Sequence, residues 1–413
     1  MQPTSRGRPR EGSEQGREEG NAKTPNLDAR RQSVRPVAPS AAGENSPSRA
    51  FDGDNLAWGK LSDWMELVRL PNVFTLLSDC MAAAIVAAGL TWPLTALLPI
   101  ILASLLAYWA GMILNDVVDL QEDREHRPDR PLASGRISPV IAGHIASAML
   151  LVGPILILAV LTFHASQPLW LGIAFAASVL LSLAVRTYDS PLKRTPLGPP
   201  LMGVCRGLNI LMVGFAVLAV SAGSSLNADA NAELAASATG PVDRVLVNPL
   251  LPGELQTVES ESELPDVIFP RPLMALAGGI ALYIFGVTVY ARREERESSS
   301  PQLLFGIVLE IAGLVIIGCL PWWAEATQVW TLDPWQGYPL LIGLIGLTVV
   351  NRGIAGVWHP VPRKVQLAVK HAILTLILID AAVVLMWAGP WYGSAVVLLL
   401  LPALSASLRI RST

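Results

Sequence analysis

Long apolar runs, separated by short polar segments, fill the chain from about residue 72 to near its end. A helix that crosses a bilayer needs about 20 such residues. Applying that length places helices near 72–90, 93–114, 138–163, 168–187, 199–221, 271–290, 302–320, 338–357, 366–388 and 391–408. The pattern predicts an all-α fold, a polytopic membrane bundle of about nine to ten transmembrane helices. Residues 1–54 show no apolar period and are rich in Arg, Glu, Ser, Gly and Pro, so they are predicted to be a disordered tail preceding one transmembrane domain over 55–413. No apolar run lies near Met1, so insertion is expected to rely on the first span rather than on a cleaved signal. The stretch 221–271, rich in Ala, Asn, Pro, Glu and Ser, reads as an insertion loop without ligand spacing.

Composition narrows the class further. Apolar residues make up 52% of the chain, charged residues 15%, and mean hydropathy is +0.46, which argues against a soluble fold. The net charge of −3 averages acidic loops with basic membrane flanks, and no nucleic-acid partner is expected. Arg and Lys fall in alternate loops: Arg124 to Arg136, Arg186 with Lys193 and Arg194, Arg292 to Arg296, and Arg363 with Lys364. The positive-inside rule makes those loops cytoplasmic, in a cell inner membrane, with both termini on that side and the 221–271 loop opposite. Trp92, Trp322, Trp323, Trp330, Trp335, Trp391 and Tyr392 then fall on the other face, as an interfacial belt. Cys80, Cys205 and Cys319 stand singly in apolar runs and offer neither a disulfide framework nor a zinc site.

One polar stretch interrupts this regularity. At the end of the second span the chain reads Asn115-Asp116-Val117-Val118-Asp119-Leu120-Gln121-Glu122-Asp123. If it stays helical, Asp116, Asp119 and Asp123 share a face with Asn115 beside them. Three carboxylates there repel one another and meet the negative end of the helix dipole, so a cation must join them. Hard oxygen donors suit Mg²⁺, which keeps several waters and shares its shell with substrate phosphate. Arg124, Arg127, Arg130 and Arg136 follow, able to grip phosphate oxygens bidentately. A solvated, charge-mixed loop between two membrane helices is the competing reading.

The wording N-D-x-x-D-x-x-x-D, followed by Arg127-Pro128-Asp129-Arg130-Pro131-Leu132-Ala133-Ser134-Gly135-Arg136, resembles the first signature of the UbiA superfamily of intramembrane prenyltransferases. The resemblance implies that Asn115, Asp116, Asp119 and Asp123 bind Mg²⁺ and the diphosphate of a prenyl donor, with Arg130 contributing. It extends to Arg69-Leu70-Pro71-Asn72, which would bring Asn72 and Asp79 to the mouth of a cavity. It also covers Tyr188-Asp189-Ser190-Pro191-Leu192-Lys193-Arg194, where Tyr188, Lys193 and Arg194 would help hold the diphosphate. The family's second signature departs from its usual form here: Thr288-Val289-Tyr290-Ala291-Arg292-Arg293-Glu294-Glu295-Arg296-Glu297-Ser298 carries Glu294 where a first aspartate is expected and Ser298 where a second is. Glu294 or Glu297 would ligate metal, or the interleaved arginines, Arg293 among them, would hold the diphosphate with a single ion. That pattern resembles the divergent UbiA-like proteins of Ebo-type gene clusters.

Inside the spans, Arg206 and Asn209 stand one helical turn apart, where a charge is costly unless it pairs or faces a polar cavity, and they are read as substrate-binding. Glu310, Arg352 and Asp380 are further intramembrane charges that either pair with one another or meet an acceptor. The resemblance implies Mg²⁺-dependent transfer of a prenyl group from an allylic diphosphate to an aromatic or lipid acceptor, under cytoplasmic polar cap loops. An aromatic face such as Trp109 or Phe175 would steady the allylic cation. A non-catalytic binder of isoprenoid diphosphates, or a lipid transport component, is the alternative that the altered second signature raises.

Overall fold

A computed structural model describes residues 57–409 except 165–166, 190, 240–269, 293–297 and 325–329; side chains at 161, 191, 194, 222–239 and 406–409 are likewise outside the description. All described residues belong to one unit, Gly53–Thr413. The helices in chain order are α1 (Leu61–Leu67), α2 (Val73–Ala88), α3 (Leu94–Val118), α4 (Leu120–His126), α5 (Pro139–His164), α6 (Pro168–Tyr188), α7 (Gly198–Thr239), α8 (Arg271–Ala291), α9 (Ser300–Gly318), α10 (Gly337–Trp358), α11 (Pro362–Ala388), α12 (Pro390–Val397) and α13 (Leu400–Arg409). No strand occurs among the described residues, and nine helices are long and apolar enough to cross a membrane. The protein is an integral, multi-pass membrane helix bundle. Helices satisfy most backbone polar groups of a span internally, which lipid demands.

The helices close a ring in which α2 packs between α7 and α11, α7 meets α8, and α8, α9, α10 and α11 follow in turn. A second arc runs from α3 to α5 to α6 and rejoins α7. Small buried side chains on α2 and α3, among them Ala82, Ala83, Ala103 and Ala110, let these elements approach closely. Large apolar side chains such as Leu98, Leu151, Ile155 and Leu340 are exposed on the outside, as a lipid-facing surface requires. Trp322, Trp335 and Trp391 are also exposed, the first two with ring centroids 6.1 Å apart, while Trp330 packs edge-on to Trp387.

The tenth predicted span, 391–408, does not form. Gly389, at φ 95°, ends α11, and the chain continues as two short helices, α12 and α13, neither long enough to cross. The left-handed backbone at Gly389 followed by Pro390 turns the chain sharply. Gly393 then lies so close to α11 that a Cβ there would sit 2.8 Å from the Leu385 Cβ and 3.1 Å from the Ala381 carbonyl oxygen. An apolar run alone cannot reveal that return. The 1–54 tail and residues 240–269 of the insertion lie outside the described residues.

Candidate functional site

Helix α3 ends at Asp119, whose backbone (φ −84°, ψ 3°) leaves the helical region before α4 begins at Leu120. The predicted continuous helix is therefore broken once, yet the three aspartates stay together. Asp116 and Asp123 are buried, 5% and 4% exposed. Arg130 Nη1 contacts both, at 3.4 Å from Asp116 Oδ1 and 2.7 Å from Asp123 Oδ2. Arg69 Nη2 donates to Asp116 Oδ1 at 3.1 Å, and Arg127 lies 3.7 Å from Asp123 Oδ1. Asp119 is held by Lys193. The Asn115 amide lies between Asp116 Oδ1 (3.4 Å) and Asp119 Oδ2 (3.5 Å). The chain's own cations thus supply the compensation that three carboxylates at a helix end demand.

Arg69 was not among the predicted site residues. It is the sole non-glycine residue with positive φ among the described residues (φ 49°, ψ 58°). A backbone held there costs on the order of 1 kcal/mol or more, and such strain concentrates where surrounding structure fixes a functional side chain. The Pro two positions later starts the short 3₁₀ turn Leu70–Asn72 that aims Arg69 at α3. Arg136 is a correction in the other direction. It clamps Asp63 Oδ1 at 2.5 Å, Glu66 Oε2 at 3.1 Å and the Asp129 carbonyl, tying the polar loop to α1 rather than facing phosphate. The Lys60 backbone N–H, and after it the Arg136 guanidinium, hold the Asp63 carboxyl below the usual carboxylate range.

Beneath the carboxylates a cavity of about 170 Å³ enters the bundle between α2, α3, α6 and α7. Predicted residues Asn115, Tyr188, Arg206 and Asn209 all line it, as do Arg69, Ser104, Tyr108 and Asp189; its walls are otherwise mostly apolar, with Leu76, Ala107, Leu181, Val185 and Met202. The aromatic faces in the cavity are Tyr108 and Tyr188, not Trp109 or Phe175. Asn72 does not line the cavity; its carbonyl accepts from Thr75 Oγ1 at 2.8 Å. Asn209 Oδ1 accepts a 2.6 Å bond from Ser104 Oγ. Asp79, expected near the mouth, is 0% exposed and ion-paired with Arg206, whose Nη2 also donates to Thr75 Oγ1 at 3.1 Å. Asp380 accepts from Ser78 rather than meeting Glu310 or Arg352; Glu310 is buried in α9 and Arg352 is exposed. Arg293, Glu294 and Glu297 lie outside the described residues, as does the Arg194 side chain. No group of three or more His, Cys, Asp or Glu side chains among the described residues is already gathered around a metal-sized point.

Residues 76–242, somewhat under half of the chain, match the family described as the UbiA prenyltransferase family. This stretch is a UbiA-family domain. The UbiA match begins within α2 and takes in the carboxylates, Tyr188, Lys193, Arg206 and Asn209, but not Arg69 or anything after the insertion. Among curated proteins, digeranylgeranylglyceryl phosphate synthase of Sulfolobus acidocaldarius is 36% identical over 95 residues, 22% of this chain and 34% of that one. The enzyme of the same name from Methanoculleus marisnigri is 36% identical over 137 residues, 33% of this chain and 44% of that one. The chain thus spans well under two thirds of the length of these relatives. A solved structure concerned with digeranylgeranylglyceryl phosphate synthase in membranes matches 79% of this chain and 97% of its own, with a TM-score of 0.50 at 17% identity, and so shares the fold.

Asp189 is a feature that the motif reading passed over. It follows α6 directly, is 1% exposed, and neither carboxyl oxygen has a hydrogen-bond partner. Burial pushes its carboxyl up to about 7, against the pull of Lys193 and Arg186, with Asp119 and Asp116 pushing the same way as burial. An acid whose pKa rises on folding contributes stability that is full below its ordinary value of 3.8 and lost as pH rises through about 7. Asp189→Asn is therefore expected to raise thermal stability in metal-free detergent solution at about pH 8, by up to about 4 kcal/mol. The margin should shrink towards about pH 5, where the native acid already holds its proton. An equal margin at both pH values would contradict the burial argument.

Proposed function

We propose that the protein transfers a prenyl group from an allylic prenyl diphosphate to an aromatic or lipid acceptor inside the membrane. One observation carries this reading: a largely apolar cavity is lined by Asn115 and Arg69, which bond Asp116 and Asp119 of the carboxylate and cation cluster beside it. An anionic head with an apolar tail fits such a site. Hard oxygens from Asn115, Asp116, Asp119 and Asp123 suit Mg²⁺ and substrate phosphate, and Arg130 and Asn115 link the acids in pairs. Bound there, Mg²⁺ supplies charge compensation for a departing diphosphate.

The chain's own groups do the rest. Arg69, Arg130 and Lys193 present donors where phosphate charge develops, and such preorganised donors act most strongly where water is excluded. Leu76, Leu181, Val185 and Met202 take the isoprenoid tail and keep water from the allylic cation. The faces of Tyr108 and Tyr188 stabilise that cation. As the carbon–oxygen bond breaks, its electron pair leaves with the diphosphate; the acceptor then bonds to the allylic carbon and loses a proton. The test is to incubate the purified protein in nanodiscs of its native lipid extract with radiolabelled dimethylallyl, geranyl, farnesyl and geranylgeranyl diphosphates. Mg²⁺-dependent movement of label into lipid product is expected. Metal-independent binding of these donors, with no turnover of any, would favour a non-catalytic binder.

The charge pattern supports a polar cap on the cytoplasmic side of the inner membrane, with both termini there. Cysteine accessibility scanning should find 115–136, 188–198 and 291–300 on one side and 221–271 on the other. Labelling of both sets from the same side would overturn the orientation. In this reading the tail and the insertion carry no part of the reaction. Deleting 2–50 should leave donor binding within about threefold, since surface segments change closure entropy only slowly.

A further inference from the structure

Three charged side chains meet deep in the apolar interior, where α2, α7 and α11 pack. Asp79 on α2 and Asp380 on α11 are both 0% exposed, and Asp380, bonded to Ser78 next to Asp79, lies close enough for the two carboxyl groups to interact. The cation against them is Arg206 on α7, ion-paired with Asp79. Two ionised carboxylates so close, with one guanidinium beside them, would leave a net negative charge in the buried interior. Like charges so placed cannot both ionise, and a buried excess charge is among the most expensive features a fold can carry.

The hydrogen bonds locate the missing proton. Asp79 Oδ1, Asp79 Oδ2 and Asp380 Oδ1 are buried oxygens that no N–H or O–H donates to with good alignment. Buried acceptors are seldom left so. Asp380 Oδ2 lies 2.5 Å from Ser78 Oγ, whose single hydrogen is also in reach of the Thr75 carbonyl at 2.9 Å. A proton on Asp380 satisfies the contact with Asp79 or the one with Ser78. An ionised Asp380 satisfies neither once Ser78 bonds back along its helix. Asp79, paired with Arg206, keeps its charge.

We propose that Asp380 is a neutral carboxylic acid and a positioning residue of the cavity, holding the Asp79 carboxylate, which in turn fixes Arg206 in the cavity wall. Asp79 takes the Nε end of the guanidinium and Thr75 takes Nη2, so the remaining N–H donors of Arg206 are free for an oxyanion. With Asp380 neutral, the trio adds no net charge to the interior. Asp380 lies on the ninth span, beyond the UbiA match, so the second half of the chain acts on a site built from the first.

This inference rests on the prenyl-diphosphate reading for its consequence, though not for the protonation itself. Infrared difference spectra of wild type against Asp380→Asn in nanodiscs at neutral pH should show loss of a protonated carboxylic-acid carbonyl stretch, a band that carboxylates lack. Binding of geranylgeranyl diphosphate with Mg²⁺ should weaken about tenfold or more in Asp380→Leu, which leaves Asp79 without its buried donor, and return to within about threefold of wild type in Asp380→Asn. Arg206→Lys, which keeps the charge and loses the fork, should show the same loss as Asp380→Leu. No carbonyl band lost, or a loss in Asp380→Asn as large as in Asp380→Leu, would overturn the proposal. A structural role alone would lower the thermal stability of Asp380→Leu without moving the donor affinity of its folded fraction. Failure of wild type to bind any prenyl diphosphate would instead sink the donor reading, with the infrared arm still deciding the state of Asp380.

Discussion

Asp119→Asn is expected to lower prenyl transfer by about 10²–10³, a cost of roughly 3–4 kcal/mol in the transition state. The substitution keeps the shape of the side chain, so packing at the α3–α4 break is preserved. What changes is charge: Lys193 loses the carboxylate that holds it, and the Asn115–Asp116–Asp119 group loses one hard oxygen. Both losses weaken the compensation of a departing diphosphate, and they coincide at one residue because Asp119 joins the α6–α7 turn to the end of α3. The apparent Mg²⁺ requirement should rise as well, which a Mg²⁺ titration of turnover reads directly. Glu125→Gln, on the exposed side of α4, is the matched control and should stay within about twofold of wild type. Full activity in Asp119→Asn across the titration would remove the first motif from the reaction.

The sequence reading reached the helical architecture through length alone. A run of about twenty apolar residues can do little else in a bilayer, so nine spans were legible within a residue or two at many of their ends. The tenth was not, since the return of α12 onto α11 depends on the φ of Gly389 and on the room above Gly393, neither of which hydropathy records. The motif residues were legible for a different reason: Asn115, Asp116, Asp119 and Asp123 are an unfavourable set that must have a counter-charge, and the order of residues says where to look for it. Their partners were harder. Arg69 lies 47 positions before Asp116, and although it opens the Arg69-Leu70-Pro71-Asn72 resemblance, nothing in the spacing says that it pairs with Asp116. Arg136 illustrates the reverse error, since a basic residue in a phosphate-site loop was drawn instead to Asp63 and Glu66 on α1. Arg206 was singled out for its cost inside a span, but that cost is met largely by Asp79 and only partly by the cavity. The branch-level resemblance rested on 288–298, of which 293–297 lie outside the described residues.

Gly313→Val is expected to destabilise the bundle by about 3 kcal/mol or more. Helices α8 and α9 cross with their backbones in contact, through two reciprocal glycine pairs. A Cβ on Gly313 would sit 2.6 Å from the Gly279 carbonyl oxygen and 2.7 Å from the Tyr283 nitrogen, and a Cβ on Gly279 would sit 3.1 Å from the Gly313 carbonyl oxygen. The second pair repeats the arrangement: a Cβ on Gly286 would lie 2.6 Å from the Gly306 carbonyl oxygen, and one on Gly306 would lie 2.9 Å from that of Gly286. The obstructing atoms are backbone, so no rotamer change relieves the clash and the helices themselves must part. Parting them is costly in lipid, where close packing rather than the hydrophobic effect drives helix association. It would also disturb Tyr283, whose hydroxyl donates to the Ala372 carbonyl on α11 at 2.8 Å, and so loosen the ring at a second seam. Gly343→Ala is the contrast, because a Cβ there meets nothing within 4 Å; the added methyl should be neutral or stabilise α10 by up to about 1 kcal/mol. Thermal unfolding in detergent, followed by size-exclusion recovery, reads both variants. Wild-type stability in Gly313→Val would show that α8 and α9 are not held together by this contact.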